Sequence, residues 1–132
     1  MTNRVLIAVA SIVFVSVLST RAPAIIQFHK EFVATYVDKH ENKEFVKTAK
    51  EARCYICHVG KKRTNRNEYG KQLSELLDKT KDKANKKKIH EALTKVAQMH
   101  SDPKDEKSPT FGDLIQSGKL PGGEVQKEDP KE

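Results

Sequence analysis

Cysteine is scarce in this chain: the 132 residues contain two, Cys54 and Cys57. That count excludes a disulfide framework, and a bridge between positions three apart would close a tiny loop and constrain the unfolded chain little. Structural zinc is disfavoured too. It takes four ligands in two separated clusters, and no second Cys/His pair stands at finger spacing, His90 and His100 coming nearest. Strand signals are missing as well: no stretch alternates apolar and polar residues, which removes the βαβ setting expected for a thioredoxin-like thiol pair. No period recurs, so the chain is not a repeat array. Tryptophan is absent and large apolar residues are few, which leaves one small domain with a core that is thin for its length.

Long apolar runs are also lacking, with one exception at the N-terminus. "MTNR" is positively charged, Val5 to Leu18 is continuously apolar or small, and "STRAPA" ends an A-x-A pattern at Ala24. These three features together read as a secretory signal peptide over residues 1–24. The alternative is an uncleaved anchor, although the run is shorter than the ~20 apolar residues of a spanning helix. Removing 1–24 takes away Arg4 and Arg21 and no acid, so the formal charge falls from +7 to +5. Export to the periplasm or another extracytoplasmic space sets nucleic acid aside as a partner. The remaining positive charge then suits an acidic protein surface or proximity to an anionic membrane.

What is present is helical periodicity. Ile25, Phe28, Phe32 and Tyr36 fall at steps of three and four, predicting an amphipathic helix over 24–37 with an aromatic stripe. After the polar break "DKHENKE", Phe45, Ala49 and Ala52 continue a helical pattern up to the cysteines. Tyr69, Leu73, Leu76 and Leu77 predict a third helix over 67–78, in which Gly70 is a weakness. Ile89, Leu93, Val96 and His100 predict a fourth that stops near Ser101, ahead of Pro103. A short fifth helix is expected with Ser108 as cap, Pro109 in its first turn, Leu114 and Ile115 inward and Gly118 at its left-handed stop. The expectation is an all-α domain of four to five short helices over 25–121, followed by a flexible polar tail over 122–132.

The cysteines stand in "CYICH", with His58 directly after the second. C-x-x-C-H is the attachment pattern of a c-type haem: two thiols about a helical turn apart reach the two vinyl groups of a porphyrin edge, and the next imidazole reaches the iron. One covalent haem c would also supply the apolar surface that the thin core lacks.

At this point "EFVKTAKEARCYICHVG" resembles the class I monohaem cytochromes c of bacteria. The resemblance implies thioether links at Cys54 and Cys57 and a proximal ligand at His58, all at the end of a helix. The run "CHVGKKRTNRNEYGKQL" with "SPTFGDLIQSGKLPGG" is similar to a subgroup of small cytochromes from planctomycete-type bacteria. Three features depart from the class I pattern: a helix precedes the motif, Lys50 stands where an aromatic is usual, and no methionine sits in a Pro-containing loop.

The sixth iron ligand decides between electron transfer and ligand binding. With no third cysteine, the distal candidates are His100, central on the apolar face of the fourth helix, and Met99, at its edge. His29, flanked by aromatics, and a five-coordinate iron are further options. His90 points toward the charged side, and His40 falls in a polar break. Lys61, Lys62, Arg63 and Arg66 follow the proximal histidine and suit a haem propionate or an acidic redox partner. The expected function is an exported electron carrier shuttling single electrons between redox partner proteins. No residue pair forms an evident acid and base for catalysis, so the chain is not expected to be an enzyme, although turnover of a substrate such as peroxide stays open if the iron is five-coordinate. Two other functions stay open. One is gas binding or sensing; the other is service as a small haem subunit of a larger complex, with Phe28, Phe32 and Tyr36 as interface.

Overall fold

The computed structural model describes residues 24–130. The expected leader therefore lies outside the described residues, apart from Ala24. Five helices follow one another: α1 Ala24–Phe32, α2 Lys43–Ala52, α3 Glu68–Leu76, α4 Lys86–Ala97 and α5 Phe111–Gln116. Among the described residues there is no strand, only isolated bridges pairing His58 with Arg66 and His100 with Thr110. The all-α class read from periodicity is thus the observed one. No helix in this stretch is long and apolar enough to cross a membrane.

Helix starts follow local chemistry. Asn42, Asn67 and Asn85 each turn a side-chain oxygen onto free N–H groups in the first turns of α2, α3 and α4. The first predicted helix ends its α-helical part at Phe32 and continues as a single wider π-helical turn, Val33–Val37, closed by the Asp38 N–H on the Val33 carbonyl at 3.0 Å.

The aromatic stripe packs on the core. Phe32 is buried, and Phe28 and Tyr36 pack on the same cluster. The Phe32 ring lies 5.5 Å from Tyr36 and 5.9 Å from Tyr69, which meets Phe111 edge-on at 5.2 Å. Such pairs add to the ~1.5–3 kcal/mol gained by burying each large side chain. The Tyr36 hydroxyl donates to the Leu93 carbonyl at 3.0 Å, tying the start of the chain to α4.

Two expectations are corrected. Helix α4 stops at Ala97, so His100 is not on it: Phe111 N–H donates to Met99 O at 3.0 Å and Ser101 N–H to Pro109 O at 2.9 Å, pulling the chain into a pairing that helical continuation would forbid. Thr110, not Ser108, caps α5, because its hydroxyl and the Asp113 carboxylate form a reciprocal capping box. Pro109 consequently lies outside the helix, while Gly118 does take the left-handed φ of 79°. Residues of the expected tail meet the fold: Gly60 N–H donates to Gln126 O at 2.8 Å, and Val125 reaches the core cluster.

Candidate functional site

Helix α2 delivers the motif through a strained joint. Arg53 has a φ of 50°, the one positive value at a non-glycine among the described residues, and it turns the chain into a 3-10 turn, Arg53–Ile56. A side chain in that region costs about 1–3 kcal/mol, a strain often found where geometry is imposed on a site. Cys54 and Cys57 follow as free thiols, both half-buried.

Every carbonyl of the "CYIC" backbone is paired. Cys54 O accepts from Cys57 N–H at 3.2 Å and His58 N–H at 3.0 Å. Asn67 holds the other three: its backbone N–H donates to Cys57 O at 3.1 Å, and its side-chain amide to Ile56 O at 3.0 Å and, more weakly, to Tyr55 O at 3.4 Å. The same side chain accepts from Gly70 N–H at 2.9 Å, so one asparagine caps α3 and clamps the motif. Gly70 explains its presence inside a helix, since a Cβ there would collide with the Cys57 carbonyl. Sequence reasoning missed both roles. The signal for the first was a capping residue ahead of "EYG"; Gly70 read only as a helix weakness.

His58 is half-buried, and its Nδ1 lies 3.1 Å from the Asn65 carbonyl. A carbonyl can only accept, so Nδ1 carries the proton and Nε2 carries a free lone pair, the tautomer of a metal-ligating imidazole. Burial holds the His58 pKa below its ordinary value; the bond to Asn65 opposes this, and the charges of Arg66 and Arg63 add to it. Burial likewise pushes the Cys57 thiol up to about 12, with Cys54 adding to the rise and Arg66 opposing it. A thiol-disulfide catalyst needs the opposite, a thiol with a lowered pKa.

Among the described residues, two buried polar atoms have no hydrogen-bond partner, His29 Nε2 and the Tyr69 hydroxyl. Leaving such a group unpaired costs about 1–3 kcal/mol. Tyr69 is one residue from Gly70, which packs on Cys57, and burial followed by the influence of Cys57 raises its pKa well above normal. Burial, with Arg53 nearby, lowers that of His29. The Tyr69 hydroxyl belongs to the residue next to Gly70, whose backbone packs on the Cys57 carbonyl. The two free thiols and the His58 tautomer fit a covalently held haem.

The distal candidates meet elsewhere. Met99 and His100 together line an open cavity of about 330 Å³ with Gln72, Asp102, Pro103 and Glu106. Met99 is half-buried against the core, and His100 is exposed, its Nδ1 donating to the Ser108 carbonyl. Helical periodicity sets His100 at the centre of the apolar face and Met99 at its edge, and the early end of α4 reverses that order. Met99 now opens the loop that contains Pro103. Between this cavity and the motif the structure supplies an indirect link through Tyr69 and Phe111, whose N–H holds the Met99 carbonyl. No group of three or more His, Cys, Asp and Glu among the described residues is placed to hold a metal ion by itself. His40 is occupied structurally, donating from Nε2 to Ile115 O at 2.9 Å, and His90 is exposed.

The basic loop after His58 is solvent-facing. Lys61, Lys62, Arg63 and Arg66 are exposed; the Arg63 guanidinium lies 5.6 Å from the centre of the Tyr55 ring, and Lys61 pairs with Glu128 at 3.3 Å. No protein-family model matches this chain, and no curated protein or solved structure is similar to it.

Proposed function

We propose that this chain is an exported monohaem c-type cytochrome, similar to the small bacterial class I proteins, that carries single electrons between partner proteins. The observation that carries the reading is the His58 imidazole fixed by Asn65 with Nε2 free, directly after two free thiols in C-x-x-C-H spacing. When bound, haem c supplies a one-electron couple whose potential its ligands and surroundings set. Cys54 and Cys57 hold the group covalently, and His58 is its proximal ligand. Met99 or His100 is the candidate for the distal side, Met99 being the better buried. Lys62, Arg63 and Arg66 offer exposed positive charge to an acidic partner.

Phe32 is buried and Phe28 and Tyr36 are half-buried against the core, which weighs against their serving as the interface of a haem subunit in a larger complex. Gas binding remains the competing function, because the Met99 and His100 cavity is open.

The test is the absorption spectrum of protein matured in an exporting host that attaches haem c. The expected result is a haem signal that persists after denaturation and vanishes in the Cys54→Ala, Cys57→Ala double variant. Absence of that signal in the parent protein would end the proposal. A low-spin spectrum unmoved by carbon monoxide supports the electron carrier, whereas prompt binding of carbon monoxide replaces it with a gas-binding protein.

A further inference from the structure

The C-terminal segment is bonded to the loop that orients the proximal histidine. Residues 61–66 leave His58 and return beside it: Val59 N–H donates to Asn65 O at 3.2 Å, and that same carbonyl accepts from His58 Nδ1 at 3.1 Å. Asn65 is held on its other side by the chain's end. Asp129 Oδ1 accepts from Lys61 N–H at 3.0 Å and from the Asn65 side-chain amide at 3.4 Å. Gly60, with φ of 71°, opens the space for this carboxylate, since a Cβ there would collide with it. Gln126 O and Glu128 add one bond each, to Gly60 N–H and to the Lys61 ammonium.

From this geometry we propose that Asp129 is a positioning residue for the proximal ligand: the C-terminal strap fixes Asn65, and Asn65 fixes how strongly His58 Nδ1 donates. The inference rests on the haem reading above. A firmly held Nδ1–H···O=C bond makes the imidazole a stronger donor through Nε2 and favours ferric iron, so loosening it raises the potential. The strap lies about seventy residues from the histidine in sequence, and no motif announces it.

Removing Asp129 also removes a negative charge, which by itself would raise the potential. Two full-length variants separate the effects. Asp129→Ala loses both the charge and the acceptor, while Asp129→Asn loses the charge and keeps an Oδ1 acceptor for Lys61 N–H and Asn65. The measurement is the midpoint potential of each haem-loaded protein, with Glu128→Gln as a control that removes a charge from the same strap without touching Asn65. The expected result is a rise in Asp129→Ala equal to about a threefold change in the ferrous-to-ferric ratio, or roughly 30 mV at ~59 mV per tenfold. Asp129→Asn and Glu128→Gln should each move less than half as far.

Equal shifts in Asp129→Ala and Asp129→Asn would show that charge alone acts and overturn the proposal, as would no shift in either. If the parent protein carries no haem, the haem reading and this inference fall together, an outcome that the haem signal identifies before any variant is made. Asp129 is exposed, so loss of fold is not the expected consequence of either substitution.

Discussion

At the scale of the residue, Asn67 and Gly70 matter most to the motif's shape. Asn67 has two separable jobs, since its oxygen caps α3 and its amide hydrogens close the Ile56 and Tyr55 carbonyls. Asn67→Asp keeps the cap and strips the donors, leaving those carbonyls unpaired at a cost of about 1–3 kcal/mol. Asn67→Ala loses the cap as well and should cost about 1 kcal/mol more. Urea unfolding of the two variants measures the difference, and equal losses would show that the cap carries nothing. Gly70→Ala drives a methyl into the Cys57 carbonyl, a backbone atom that cannot step aside cheaply. Despite the better helix propensity of alanine, it should destabilise by about 1–3 kcal/mol. A gain in stability would mean that Gly70 is merely a weak helix former.

At the scale of the element, the joint between α2 and the motif invites a direct test. Arg53→Gly removes the Cβ responsible for strain at φ 50° and should stabilise the protein by up to about 1 kcal/mol, after the backbone entropy of glycine is counted. Arg53→Ala keeps the Cβ and loses the same guanidinium, so it isolates strain from charge; thermal unfolding that ranks the alanine variant equal to glycine would dispose of the strain argument. The elements were legible where one force governed them. Ile89, Leu93 and Val96 are all buried, as their period requires. Legibility failed where a distant partner competed with the helix: nothing near His100 in sequence reveals that Thr110 will pair with it and end α4 at Ala97. Ser108 and Thr110 are both fair caps, and Asp113, three residues after Thr110, was the available signal for choosing between them. At the candidate site, Cys54, Cys57 and His58 stand out as a spaced motif, but Asn65, Asn67 and Asp129 act through backbone partners and leave no pattern of their own.

At the scale of the whole molecule, a thin core makes stability sensitive to its polar anchors, and these titrate in two windows. His29 and His58 have folded-state pKa values below their ordinary ones, chiefly through burial. Above pH ~6.5 both are neutral in the folded and unfolded chains, and nothing is lost; as pH falls below that, the unfolded chain takes up protons that the folded chain resists, and stability drops. The carboxylates act lower. Asp113 is held down first by the Thr110 N–H, Asp82 first by Lys88 at 2.7 Å, and Asp78 first by the Lys81 N–H. Their contribution is complete above pH ~4 and is lost as pH falls through their lowered folded values. Chemical unfolding of the haem-free chain between pH 8 and 3 should thus give a plateau and two descents. His29→Gln should shrink the first and leave the second, while Asp113→Asn should shrink the second and leave the first. If haem binds as proposed, His58 would be committed to iron and would no longer exchange its proton in the folded state, so the first descent would change in depth while the carboxylate window would stay where it was. A profile in which haem alters the acid descent instead would place the group against one of these carboxylates, Asp78, Asp82 or Asp113.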